Sequence, residues 1–173
     1  MNDGEIVRRV LAGDVEAFGT LVERYRTEFG RIAAGMLRDR DEADDVLQEA
    51  FISAYRSLGS CRDPDRFRTW FYTIVTNRCR DALRKKPAVD IDTVEVAAKE
   101  TTDAATEDAE LADKLERAMA KLTPEQREVF VLKEIEGKSY EEMSVLLDLK
   151  VDALRMRVMR AKDVLRKALG EMP

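Results

Sequence analysis

The sequence predicts an all-α protein: two small helical domains joined by a flexible acidic linker, the second containing a helix-turn-helix. Three observations predict this. Apolar residues recur at the 3.6-residue helical period throughout, and nothing alternates for long at period two. Only 8 glycines and 4 prolines interrupt the 173 residues. The formal charge of −5 is not spread evenly. Residues 1–86 hold 16 basic and 15 acidic side chains and residues 109–173 hold 13 of each, whereas residues 87–108 hold 1 against 7. That middle stretch opens on Pro87, has no aromatic residue and shows no sustained period, as an interdomain spacer would.

Taken in order, Ile6, Val7, Val10 and Leu11 mark a first helix stopped at Gly13. Asp14 is expected to cap the second, whose apolar face runs Phe18, Leu21, Val22, Tyr25, Phe29, Ile32, Ala33, Met36 and Leu37. A third helix after the Asp39–Asp41 break turns Val46, Leu47, Ala50, Phe51, Ala54, Tyr55 and Leu58 inward. A loop from Gly59 leads to Pro64, suited to a first helical turn, and the fourth helix buries Phe67, Phe71, Ile74, Val75 and Leu83. Beyond the linker, Leu111, Leu115, Ala118, Met119 and Leu122 mark a fifth. Thr123-Pro124-Glu125-Gln126 is a capped start for the sixth, which carries Val129, Phe130, Leu132 and Ile135 and ends before Gly137. Ser139 and Glu142 form a second capping box, opening a short seventh helix with Met143, Leu146 and Leu147 inside. After Asp148-Leu149-Lys150, the final helix presents Val151, Leu154, Val158, Ala161, Leu165 and Leu169 to the core. Lys150 is a weak cap, which leaves Asp152 as the alternative.

The composition excludes several functions. With no histidine and two cysteines, Cys61 and Cys79, there is no disulfide framework, no four-ligand zinc site and no Ser-His or Cys-His pair. No phosphate-binding loop, dinucleotide fingerprint or nucleophile motif occurs, so no catalytic residue and no cofactor is expected. The acidic run Asp39, Asp41, Glu42, Asp44, Asp45 and Glu49 reads as helix-start charge or a protein-docking face rather than as a metal site. No apolar run approaches the roughly 20 residues of a membrane span, and MNDGEIVRRV lacks a signal-peptide layout, so a cytoplasmic protein without membrane insertion is expected.

Two local surfaces point instead to nucleic acid. Residues 150–167 hold 7 basic against 2 acidic side chains. With the core stripe fixing the rotation of the last helix, Arg155, Met156, Met159, Arg160, Lys162 and Arg166 face outward. This suits arginine forks on guanine edges and methionines on thymine methyls. Residues 62–86 hold 8 basic against 3 acidic. There Arg-Phe-Arg-Thr-Trp-Phe-Tyr at 66–72 interleaves rings with cations, a pattern suited to unpaired bases. With Phe67, Phe71 and Ile74 inward, Trp70 is expected at the core border and Tyr72 well outside. Cys79 is expected half-buried.

These pieces resemble the extracytoplasmic-function (ECF) sigma factors, two-domain specificity subunits of bacterial RNA polymerase. GDVEAFGTLVERY, DEADDVLQEAFISAYRSL and FRTWFYTIVTNRCRDALRKK are similar to the family's first domain, here residues 1–86. LTPEQREVFVLKEIEGKSYEEMSVLLDLKVDALRMRVMRAKDVLRK is similar to its second, here 109–173. The resemblance implies that Asp44, Asp45, Gln48, Glu49, Phe51 and Ile52 dock on the clamp helices of the polymerase largest subunit, while the flap of the second subunit receives the other domain. It implies that Cys61, Arg62, Asp63, Arg66, Phe67, Trp70, Asn77 and Arg80 melt and read the minus-ten element as single strand. It further implies that Arg155, Met156, Met159 and Arg160 read the minus-thirty-five duplex, with Ser139, Tyr140, Arg157 and Lys162 on phosphates. Family members often carry Gly at 148, a small polar residue or Pro at 150 and Gly-Thr at 152–153, where this chain has Asp148, Lys150 and Asp152-Ala153. The expected partners are core polymerase, promoter DNA and an anti-sigma factor, which in this family can sit in the membrane. A stand-alone helix-turn-helix regulator would leave the aromatic-basic helix and the acidic docking face unused, and a decoy that binds only an anti-sigma protein would have no need for Arg155 and Arg160.

Overall fold

The computed structural model describes residues 1–86 and 106–171, and among them all regular structure is helical. The chain enters through α1 (Asp3–Leu11), opened by a reciprocal cap between Asn2 and Glu5. Asp14 does not cap the next helix. Its carboxylate turns back to Arg9, and a short 3-10 turn, Val15–Ala17, feeds straight into α2 (Phe18–Leu37). Asp39 caps α3 (Arg40–Arg56) by accepting from the Glu42 amide at 3.0 Å. The loop after α3 runs through two 3-10 turns, the second begun by Asp63 and Pro64, into α4 (Phe67–Lys85).

The core of this first domain is a run of rings. Phe29 packs on Tyr25 and Phe71, Phe71 stacks on Phe51 at 4.5 Å between centroids, and Phe67 stacks on Phe71 at 5.6 Å. Such pairs add about 0.5–1.5 kcal/mol each beyond their buried area. Tyr55, expected inward, is exposed at the end of α3 with its ring edge on Phe18.

Most of the expected linker, residues 87–105, lies outside the described residues; residues 106–108, assigned to it from charge, form the first turn of α5 (Thr106–Ala120). Helix α6 (Pro124–Phe130) opens with the Thr123–Gln126 capping box and runs on through a π turn, Val131–Ile135. Helix α7 (Tyr140–Leu147) opens with the Ser139–Glu142 box. It ends on Asp148 in the left-handed conformation (φ 52°, ψ 47°), and α8 (Val151–Gly170) follows. Leu154, Val158, Ala161, Leu165 and Ala168 of α8 pack against α5, α6 and α7. The expected inward residues Leu111, Ile135 and Leu169 are exposed at the rims.

The two domains are not separate. Helices α2 and α4 of the first lie against α6, the π turn and α7 of the second. At Gly35 the helix backbone comes so close to the second domain that a Cβ would lie within 2.8 Å of a Val131 methyl.

Candidate nucleic-acid interface

The exposed face of α8 follows from its core stripe. Residues one and two positions after Leu154 and after Val158 must point away, so Arg155, Met156, Met159 and Arg160 are all exposed, the two methionines by 46% and 48%. Among the described residues neither arginine belongs to an ion pair. The Arg155 guanidinium lies 5.5 Å from the centre of the Tyr140 ring, and the Lys133 ammonium lies 4.4 Å from the same ring. Ser139 is committed to capping α7. Lys162 is bound to Glu134 at 2.6 Å, so its charge is already offset, while Arg157 is half-buried. Helix α8 starts at Val151 with Lys150 at its cap position and no side-chain hydrogen bond there; Asp152 sits in the first turn rather than capping.

The aromatic-basic helix and the loop before it differ from expectation at four places. Cys61 is buried, with its sulfur donating to the Asp63 carbonyl at 3.4 Å, and burial pushes its thiol upward; it cannot receive a base where it stands. Phe67 is wholly buried in the ring cluster, as its helical period requires, so of the residues expected on the minus-ten strand in that loop Arg62, Asp63 and Arg66 are the exposed ones. Trp70 is half-buried beside Phe67, at the border as expected. Tyr72 is the clearest correction: it is 2% exposed rather than well outside. The periodicity of α4 was read against one core, but this helix has a second neighbour, and Tyr72 faces it. Cys79 is likewise fully buried, and burial with the nearby Glu128 charge pushes its thiol to about 12.

On α3, Asp44, Asp45, Gln48, Glu49 and Ile52 share an exposed side, as i, i+4 spacing requires. Phe51 does not join them; it is buried between Phe18 and Phe71. Glu49 accepts from Arg78 at 3.1 Å and Glu42 pairs with Lys86 at 2.7 Å. These pairs flank an open groove of about 420 Å³ between α3 and α4.

Sequence reasoning missed the polar contact between domains. Glu128, 2% exposed, accepts from the Tyr72 hydroxyl at 2.7 Å and pairs with Arg80, which also donates to Asn77. Burial outweighs these partners and raises the Glu128 carboxyl above the usual range. Arg127, 8% exposed, has no carboxylate partner among the described residues. It donates to the carbonyls of Met36 at 2.7 Å and Met119 at 2.8 Å, near the carboxyl ends of α2 and α5, where the helix dipole favours a cation. Glu28, paired with Arg68 of its own domain at 2.6 Å, also joins Lys138 across the same boundary at 2.7 Å. The available signal was a charged pair, Arg127-Glu128, set beside the buried run beginning at Val129.

Comparisons with known proteins match both halves. The model of sigma-70 region 2 matches residues 21–88, and that of sigma-70 region 4 matches residues 112–165. The RNA polymerase sigma-H factor of Pseudomonas aeruginosa is 35% identical, over 96% of this chain and 93% of its own. The ECF RNA polymerase sigma-E factor of Escherichia coli K12 is 33% identical, over 95% of this chain and 93% of its own. Among solved structures, CnrH in complex with the cytosolic domain of CnrY is 31% identical with a TM-score of 0.67, covering 99% of both chains. The sigma factor RpoE of Bartonella quintana, solved with the anti-sigma factor NepR, shares the fold at 21% identity and a TM-score of 0.58, over 90% of this chain and 98% of that one.

Proposed function

The chain belongs to the sigma-70 family as an ECF sigma factor, a subunit that binds core RNA polymerase and directs promoter-specific initiation, and from that premise we propose how its residues divide the work. Residues 1–86 dock on core polymerase through the exposed side of α3 (Asp44, Asp45, Gln48, Glu49, Ile52). They hold the melted minus-ten strand with Arg62, Asp63, Arg66, Trp70, Asn77 and Arg80. Residues 87–108 join the domains, and residues 109–173 read the minus-thirty-five duplex through Arg155, Met156, Met159 and Arg160. The observation that supports this division best is the face of α8: two arginines without carboxylate partners and two exposed methionines on a helix whose start is set by a capped partner helix and a tight turn. Arginine can take both acceptors of a guanine edge, and the methionines offer apolar contact to thymine methyls.

The chemistry is binding rather than catalysis. Among the described residues no group of three or more cysteine or acidic side chains is placed to hold a metal ion, and no helix is long and apolar enough to cross a membrane. We place the protein in the cytoplasm with the polymerase it serves. Control by an anti-sigma factor is proposed from the relatives solved in complexes. Run-off transcription tests the whole reading: added to purified core polymerase, the protein directs initiation from a subset of genomic promoters. Failure to bind core and to initiate from any promoter would overturn it.

A further inference from the structure

The loop between α3 and α4 carries Arg62, Asp63 and Arg66 into solvent, and side chains that discriminate bases must be held to a fixed geometry. Its own side-chain ties are short in reach. The Ser60 hydroxyl donates to the Ser57 carbonyl, the Cys61 thiol to the Asp63 carbonyl, and the Asp65 amide to the Asp63 carboxylate. Support from further along the chain comes from α1, which packs along both 3-10 turns of this loop, Leu58–Ser60 and Pro64–Arg66. Helix α1 is itself fastened to the frame of the domain. Its Asp3 carboxylate accepts from the Tyr25 hydroxyl and the Arg24 guanidinium of α2, and Arg24 also donates to the Met1 carbonyl at 2.9 Å. Ile6, Val7 and Val10 sink its inner face into the core.

At Gly4, buried in the first turn of α1, the fit between helix and loop depends on a missing side chain. A Cβ there would overlap an oxygen of the Asp65 carboxylate and stand 2.7 Å from its Cγ. Asp65 is the middle residue of the Pro64–Arg66 turn, which Asp63 begins and Arg66 ends. Its carboxylate also lies 3.5 Å from Arg8, one turn further along α1. Both side chains of that pair are more than half exposed, so the charge contact contributes little. Shape does more. With the Asp65 side chain laid over a bare Cα, the turn rests on α1 at one depth. A larger residue at position 4 blocks the Cγ as well as the oxygen, so the carboxylate must leave for another χ1 well or the turn must lift. Glycine is a weak helix former, and its use here breaks a local rule that alanine would satisfy.

We propose that Gly4 is a positioning residue for minus-ten recognition: its bare Cα is a notch that seats the Asp65 side chain and so fixes the loop bearing Arg62, Asp63 and Arg66 against α1. Neither Gly4 nor Asp65 has to touch DNA. Without the seat the loop keeps its charges but takes more than one geometry. Right and wrong bases are then held more nearly alike, and discrimination, which is a difference of affinities, falls before overall binding does. This deepens the sigma reading above and rests on it, since that reading assigns the loop to the minus-ten strand.

The test uses full-length chains: wild type, Gly4→Ala, Asp65→Ala, the double variant of these two, and Asp65→Asn. Alanine favours α1 and the group it meets is a side chain that can turn, so Gly4→Ala folds. Each protein is combined with core polymerase and assayed by run-off transcription from a promoter that the wild type uses, with the minus-ten bases varied singly. Gly4→Ala and Asp65→Ala each lose about three- to tenfold in discrimination between bases at the loop's position, at unchanged core affinity. The double variant loses no more than either, because both substitutions remove the same seat. Asp65→Asn, which keeps the shape, behaves as wild type. In hydrogen exchange of the free chain, the Cys61 and Arg66 amides, bonded to the Leu58 and Asp63 carbonyls, lose protection alike in Gly4→Ala, Asp65→Ala and the double variant. Unchanged discrimination in Gly4→Ala, or additive losses in the double variant, overturns the proposal. A loss in Asp65→Asn as deep as in Asp65→Ala also overturns it, since the charge would then act on the strand directly. If the wild type initiates nowhere, the sigma reading falls and the minus-ten role with it, while unaltered exchange in Gly4→Ala separately overturns the seat.

Discussion

Arg155 and Arg160 show how much of a recognition face one helix stripe can determine. Once Leu154 and Val158 are buried, the arginines that follow have nowhere to point but outward. Replacing either with alanine is expected to weaken binding to a minus-thirty-five duplex by about 1–3 kcal/mol and to relax preference at one base position. Competition binding against duplexes varied at single positions measures this. An unchanged base preference in both variants would move the reading face off α8. Lys162, already matched by Glu134, is expected to contribute less to the salt dependence of binding than a free lysine would. These outward residues were legible because a single core sets their direction. The burial of Phe51 and Phe67 was legible from helical period, and only the family pattern set them on a docking or DNA face; Cys61 was not legible, because that pattern places a residue in a loop without saying how deeply its side chain sinks.

At the scale of elements, the sequence signals that act locally predicted best. Thr123 with Gln126, and Ser139 with Glu142, satisfy helix-start amides within four residues of themselves, so nothing distant can override them. The break at Asp148-Leu149-Lys150 was legible for the same reason, although its left-handed residue is an aspartate where glycine would be unstrained. Asp148→Gly is therefore expected to stabilise the helix-turn-helix by about 0.5–1 kcal/mol, the relief of left-handed strain less glycine's greater backbone entropy. Thermal unfolding should show a rise in Tm of about 1–3 °C. A fall would mean that the Asp148 carboxylate makes a stabilising contact outweighing that strain. Where local signals were weak they misled: Asp14 resembles a cap but pairs with Arg9, and the acidic composition of residues 106–108 concealed the first turn of α5.

The whole molecule was the least legible scale, since the contact between domains joins residues as far apart as Glu28 and Lys138 and leaves no periodic trace. It is also where pH should act, and the two glutamates of the joint between domains, half-buried Glu28 and buried Glu128, act in opposite senses. Burial works against the Glu28 charge, yet the hydrogen bonds and charges of Arg68 and Lys138 outweigh it and hold that carboxyl below its ordinary value of 4.5. Its contribution to folding stability is thus present above that value and lost as pH falls through the lowered one. Glu128 is raised by burial, and Arg80 and Tyr72 only partly oppose the shift. Its contribution is complete below 4.5 and is lost as pH rises through the raised value. Cys79 and Tyr72, both pushed upward, stay protonated and add no slope of their own in this window. Thermal unfolding between about pH 5 and pH 8 should therefore show wild-type Tm falling relative to Glu128→Gln, whose neutral amide cannot titrate. Glu28→Gln should keep that slope and lose only the decline at the acid end. If the wild type instead gains on Glu128→Gln as pH rises, pairing with Arg80 outweighs burial, and the joint is tightened rather than loosened by the charge on Glu128.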